Sequence, residues 1–392
     1  MGLHFLRRMD WLGAARSLGY LRLLALLNVA MLVLLVATSR DGVDRNGFLL
    51  GSDFISFWTV GRMLGEGANV YDGAAHVAAQ RAYFAPENGY TAFFYPPSFL
   101  PFCRPLGWLG YFPALATWLV VTGAAHLAAV RAWWRDAGVP APLWLLFLGF
   151  PAVPIVATHG QTAFLVAALL GGGAWLVRSR PVLAGVLLGL ATIKPQFGLL
   201  LPVALLLTRE WRTIGSALVT AMVLAAATTA LYGAQVWPDW LAASARAQDA
   251  MAEGAVGYAK MVSPFAALRL LGVPTGAAYA VQAVVSLGVA GLLAWAAWNK
   301  RWSPGLAALT LAGAPLVTPF VLDYDLVLLA FPLLWLTGQG LRDGFRDWEK
   351  LAILLAIAAP AFARPLAMNA GVPVMPLVLA LLFAVVWRRA RA

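Results

Sequence analysis

Leu23-Leu24-Ala25-Leu26-Leu27-Asn28-Val29-Ala30-Met31-Leu32-Val33-Leu34-Leu35-Val36 is an uncharged, almost wholly apolar run. It lies inside a stretch at residues 20–38. About 20 such residues cross a hydrocarbon core of about 30 Å as a helix. The rest of the chain repeats the pattern. Of 392 residues, 61% are hydrophobic and 11% are charged, against about 25% charged in a soluble domain. No soluble core could hide that much apolar surface, so the solvent is lipid. Arg7, Arg8, Arg16 and Arg22 precede the run, and no small-residue cleavage site comes before the following polar loop. The first span is therefore expected to stay in the protein.

Working outward, further spans read near 111–133, 142–158, 161–177, 180–194, 196–210, 213–232, 275–298, 304–320, 322–337, 349–364 and 373–389. That makes about twelve helices in one integral membrane unit over residues 1–392, an all-α polytopic membrane protein. The net charge of +11 would suggest nucleic acid in a soluble protein. Here the basic residues sit at the ends of apolar runs. Arg131 and Arg135, Arg178 and Arg180, Arg209 and Arg212, Lys300 and Arg301, Arg342 to Lys350, and Arg388 to Arg391 all fall on one side, as the positive-inside rule requires. The expected partners are membrane lipids and not nucleic acid, with both chain ends cytoplasmic.

Residues 93–109 are apolar but carry Pro96, Pro97, Pro101 and Pro105. A full span there would put the arginine pairs outside, so a re-entrant or interfacial segment is expected, as tolerated where irregular backbone lines a cavity. Residues 182–208 could form one span with Lys194 near the bilayer centre, at about 2.5–3.5 kcal/mol. A hairpin with Lys194 at its outer tip avoids that cost. Two segments, 39–92 and 233–274, are read as outer loops. The first holds amphipathic helices at 54–66 and 74–84, the second a helix at 264–271, and their Trp and Tyr residues favour the membrane interface.

The polar residues then gather on the outer face. Asp53 begins Asp53-Phe54-Ile55-Ser56-Phe57-Trp58. It reads either as an N-cap of the helix at 54–66 or as a general base. Lys194 reads as a snorkelling side chain or as a cation held for a phosphate. His159 and Gln161 cap a tight turn or line a site. Asp323 and Asp325 flank Tyr324 and read as an acid/base or metal pair, or as caps of a helix at 326–337. Arg62 is a headgroup anchor or a second phosphate contact. Tyr95, Gln196 and Arg269 share the same face. Cys103 is the single cysteine and the four histidines are scattered, so no metal site is expected. His126 reads as structural. Gly171-Gly172-Gly173 reads as close helix packing.

The ordered set Asp53-Phe54-x-x-Phe57-Trp58-x-x-x-Arg62, Val70-Tyr71-Asp72, Tyr95-Pro96-Pro97, Gly160-Gln161, Leu183-Ala184-Gly185-Val186-Leu187-Leu188-Gly189-x-x-x-x-Lys194-Pro195 and Thr318-Pro319-x-x-x-Asp323-Tyr324-Asp325 resembles glycosyltransferase family 87. The likeness runs over about residues 20–340. It implies a GT-C-type bundle that takes a mannose-like hexose from a polyprenyl-phosphate donor to a lipid or glycan acceptor. It also implies a bacterial plasma-membrane location, a site facing the periplasm or cell exterior, and no cofactor. By the same resemblance Asp53 is the catalytic aspartate, Lys194 lies near the donor phosphate, and His159-Gly160-Gln161 is the polar turn near the donor. Relatives carry Ser-Pro-x-x-Trp-x-His-His where this chain has Thr318 to Asp325, so their histidine role has no counterpart here.

The expected chemistry is a single inverting displacement. Asp53 takes the acceptor proton, and Lys194, with Arg62 or Arg269, meets the leaving phosphate. Tyr95, Gln161, Gln196 and the Asp323-Tyr324-Asp325 turn meet the sugar and its surroundings. A secondary transporter or lipid flippase, or a non-catalytic subunit of a polysaccharide assembly complex, is the alternative. Transporters place polar residues near the midplane between inverted repeats, and no repeat is seen here.

Overall fold

The structure is a computed structural model, and it describes residues 2–84 and 91–391. Residues 85–90 of the expected first outer loop lie outside the described residues. The described chain is all helical, with only isolated bridges such as Met261 against Leu322 in place of strands. Six helices are long and apolar enough to cross a membrane: Ala14–Thr38, Tyr111–Ala137, Trp211–Tyr232, Thr275–Ala297, Asp323–Asp343 and Glu349–Ala370. Four shorter apolar segments accompany them: Ala163–Leu176, Pro181–Ile193, Pro195–Leu207 and Pro304–Leu316. The expected twelve full-length spans are therefore six on length and composition. The run at 142–158 is broken at Gly149-Phe150-Pro151 into Leu143–Leu148 and Ala152–His159.

Burial separates rim from centre. In Ala14–Thr38 only 6% of the spanning window is buried, against 78% in Asp323–Asp343. Leu26, Val33 and Leu34 point outward, a surface that lipid covers. At the centre, Gly171 and Gly173 admit Phe331 and Leu188 against their bare backbone, the close packing expected of that run. His126 is buried among Phe147, Phe164 and Phe331.

The proline-rich segment is a chain of three short pieces, Pro97–Phe99, Leu100–Cys103 and Arg104–Trp108. Pro97, Pro101 and Pro105 each stand in the first two positions of a piece. There the missing N–H costs nothing, because the first turn has no partner for it. This segment crosses the helix Phe54–Gly65 backbone to backbone. A Cβ on Gly61 would collide with the Cys103 carbonyl, and one on Gly107 with Gly61 itself. Gly61→Ala is expected to cost about 1–3 kcal/mol of stability by overpacking, readable as a lower unfolding midpoint in detergent.

Residues 181–207 form a hairpin. Gly185 packs on Thr213 to Ala217 and Gly189 on Ala217 to Thr220, so Pro181–Leu190 runs parallel to Trp211–Tyr232. Leu201–Leu207 brings the chain back, and Arg178 meets Glu210 at 3.2 Å at the near end. The outgoing arm, ten α-helical residues and three 3-10 residues, rises about 21 Å. That is about 9 Å short of a hydrocarbon core of about 30 Å. The far end of the hairpin is thus recessed within the bundle, and Lys194 sits at that end.

Candidate active site

Backbone pairing brings the first polar loop to this recess. Gly51 N donates to Thr158 O and Asp53 N to His159 O, both at 3.0 Å. The Tyr111 hydroxyl is 2.8 Å from both the Leu50 and Gly51 carbonyls. Gly160 ends its helix with φ +66, and a side chain there would strike Phe54 and Leu115. Both its left-handed conformation and the close approach therefore require glycine. On the other side, Thr91 Oγ1 donates to Ser52 O at 2.8 Å. Gln80 holds Thr91 through both its backbone N–H and its carbonyl. The helix Gly73–Tyr83 thus braces the residue beside Asp53, a role not foreseen for Gln80. Tyr71 donates to Tyr95 O at 2.9 Å, and burial pushes its phenol well above the usual range, so it remains a donor.

Asp53 precedes the helix Phe54–Gly65, yet its side chain makes no capping hydrogen bond among the described residues. Asp72, in the equivalent place before Gly73–Tyr83, accepts from Ala74 N and Ala75 N. The capping alternative for Asp53 is therefore excluded. Its Oδ2 instead accepts from Gln161 Nε2 at 2.9 Å. Its Oδ1 accepts nothing among the described residues, and the side chain is half-buried.

Gln161 is the hub. Its Oε1 accepts from the Tyr95 hydroxyl and from Thr162 N, both at 2.8 Å. Its Nε2 donates to Asp53 and to the Tyr324 hydroxyl, the latter at 3.1 Å. All the amide's bonding capacity is used, which sets its orientation. Gln161→Ala takes away the partner of the buried Tyr324 hydroxyl and one of two from Tyr95, which keeps Thr162 Oγ1 at 2.9 Å. It is expected to cost about 1–3 kcal/mol and to lower turnover, measured together as an unfolding midpoint and a rate.

The Asp323-Tyr324-Asp325 turn is stitched to the second long loop. Val262 N donates to Val321 O at 2.9 Å and Ser263 Oγ to Pro319 O at 2.5 Å. The two aspartates then face different cations. Asp325 Oδ1 takes Lys194 Nζ at 2.5 Å, with both side chains under a tenth exposed. The ammonium also lies over the rings of Phe197 and Tyr324, at 5.0 and 5.2 Å from their centroids. Lys194 stands where the hairpin places it, between the 3-10 turns Ala191–Ile193 and Pro195–Gly198. It is closed off by Asp325, however, and is not an open cation. Asp325 Oδ2 also accepts from Leu322 N at 3.2 Å, capping the 3-10 helix Asp323–Leu329 and not the helix expected at 326–337.

Asp323 lies 3.6 Å from Arg364 Nη1 and accepts from Tyr324 N at 2.9 Å. The His159 Nδ1 lies 2.8 Å from Ile155 O, and its ring is 5.9 Å from that of Tyr324. No group of three or more metal-ligating side chains occurs among the described residues.

Three expected residues stand apart from this network. Arg62 is exposed and stacks on Trp58 at 5.5 Å. Arg269 is held by the Tyr258 hydroxyl at 3.1 Å and Val273 O at 2.8 Å. Gln196 is half-buried and makes no hydrogen bond among the described residues. Arg364 was missed. Its signal was an arginine inside an apolar run between Pro360 and Pro365, and ionisable residues at membrane depth are functional candidates.

The arrangement offers one carboxylate oxygen held and the other open, beside hydroxyl and amide donors in a recess. Among known proteins, the model of glycosyltransferase family 87 matches residues 93–319. That stretch holds Tyr95, His159, Gln161, Lys194 and Arg269. Asp53, the Asp323–Asp325 turn and Arg364 lie outside it. No curated protein and no solved structure matches the chain. With more than half its length matched and an apolar, all-helical architecture, the chain belongs to glycosyltransferase family 87, a GT-C-type family, and is a membrane-type glycosyltransferase.

Proposed function

We propose that the enzyme moves a mannose-like hexose from a polyprenyl phosphate to a lipid or glycan acceptor, by inverting displacement with Asp53 as general base. The observation that carries this reading is the half-buried Asp53 carboxylate, anchored by Gln161 through Oδ2 and open at Oδ1. The acceptor oxygen attacks the anomeric carbon and gives its proton to Asp53. The bond from that carbon to the phosphate oxygen breaks, and the lipid phosphate leaves with the electron pair. Proton transfer to a positioned carboxylate contributes about 10²–10⁴ in rate. Tyr95, Tyr324 and Asp323 meet the sugar hydroxyls, and Gln161 holds Asp53 and the two tyrosine hydroxyls in place. Lys194 pairs with Asp325 and lies over the Tyr324 ring. His159 flanks the Tyr324 ring, 5.9 Å away.

The six long helices and the shorter apolar segments together make about twelve passes, some of them partial, through the bacterial plasma membrane with both ends cytoplasmic, and the recess opens to the periplasm or cell exterior. What supports this is the grouping of arginines at one set of helix ends and of the Asp53 network at the other. A first test is transfer from a polyprenyl-phosphate hexose by purified, lipid-reconstituted protein. A second is labelling of single cysteines at the exposed positions Asp41, Pro195 and Ala234, with Cys103 replaced. External labelling of all three with measurable transfer is the expected result. Labelling from both sides, or no sugar transfer from any polyprenyl-phosphate sugar, overturns the reading.

A further inference from the structure

We propose that Arg364 binds the phosphate of the lipid donor; the assignment rests on the function proposed above. Arg364 lies in the outgoing helix Glu349–Ala370, six residues from its end. The guanidinium has five N–H donors. Its ion pair with Asp323 is 3.6 Å long, beyond hydrogen-bonding distance, and it makes no hydrogen bond among the described residues. The side chain is about a quarter exposed, at 27%.

Three other cations, Lys194, Arg269 and Arg389, already have partners. Lys194 is closed by Asp325. Arg269 is held by Tyr258 and Val273. Arg389 is gripped at the opposite end of the bundle by Glu349 at 2.7 and 2.9 Å. An arginine within an apolar helix is costly. Leaving its donors open is reasonable only where an anion comes to take them.

The surroundings suit an anion with a hydrocarbon tail. Arg364 and Asp323 are the charged members of a crevice otherwise walled by Met261, Leu326, Pro360 and Met375, among other apolar groups. A guanidinium fork matches phosphate oxygens two at a time; the crevice encloses only about 10 Å³, so the first isoprene units lie along its apolar rim and not within it. Asp323 is joined to Asp53 through Tyr324 and Gln161. That chain ties the proposed phosphate site to the proposed base, the two groups that an in-line displacement must set on either side of the sugar. Arg364 lies beyond the residues matched by the family model.

The test is binding by the purified full-length protein in nanodiscs. The probes are polyprenyl phosphate, uncharged polyprenol of the same chain length and inorganic phosphate. Wild type is expected to prefer polyprenyl phosphate over polyprenol, with inorganic phosphate competing weakly. R364A is expected to lose about tenfold or more in affinity for polyprenyl phosphate, as loss of charged hydrogen bonds implies. It should bind polyprenol unchanged. R364K should recover part of the loss, and donor KM should rise more than acceptor KM. Unchanged polyprenyl-phosphate affinity in folded R364A overturns the assignment alone. Failure of wild type to distinguish the phosphate from the alcohol overturns the donor reading and this assignment together. Equal loss of polyprenol binding in R364A would show a packing defect and also reject the phosphate role.

Discussion

Asp53→Asn is expected to leave the protein folded and to lower kcat for sugar transfer by about 10²–10⁴-fold, the range for removal of a general base. The substitution changes little in shape. The Asn Oδ1 can accept from Gln161 Nε2 as Asp53 Oδ2 does now at 2.9 Å. The hub therefore keeps its partners, and Tyr95 and Tyr324 keep theirs. No cap is lost, because Asp53 provides none among the described residues. Only the capacity to take a proton at the open oxygen disappears. Turnover in reconstituted membranes, read beside an unfolding midpoint, separates the two effects. An Asn variant with wild-type kcat would reject Asp53 as the base, whatever its place in the network.

Lys194→Ala is expected to destabilise the protein by about 3–5 kcal/mol, since breaking a buried ion pair strands the other charge. The stranded group is Asp325, whose side chain is 3% exposed. The paired replacement Lys194→Met with Asp325→Leu removes both charges and should recover most of that loss, because matched apolar pairs often equal a buried ion pair. It should still transfer slowly, since the Tyr324 ring loses the ammonium beneath it. The comparison separates this structural account from the role its position in the hairpin first implied. If Lys194→Ala keeps its unfolding midpoint and only raises the donor KM, the lysine is the phosphate cation and Arg364 is not. Thermal unfolding and donor kinetics on the same preparations decide between them.

Much of the site was legible residue by residue. Asp53, Tyr95, Gln161, Lys194 and the Asp323–Asp325 turn do converge on one recess. The signal was local in each case: a polar residue at the end of an apolar run, where lipid makes it expensive. The same signal misplaced Arg62 and Arg269. Each is an arginine on the right loop, and loop position alone cannot tell a solvent-facing cation on Trp58, or one tied to Tyr258, from one in a pocket. It also passed over Arg364, which stands in an apolar stretch that reads as an ordinary span.

The length and apolarity of each run, the proline restarts between 97 and 108, the glycine-lined helix contacts and the order of the motifs all follow from near neighbours along the chain. Composition alone therefore establishes a lipid solvent and a helical architecture. Which charge neutralises which does not follow from near neighbours. Lys194 meets Asp325 across 131 positions, and Gln161 reaches Asp53 across 108. Coulomb and hydrogen-bond energies fall off over a few ångströms. The choice between a closed lysine and an open arginine was thus settled only when the folded bundle fixed those distances.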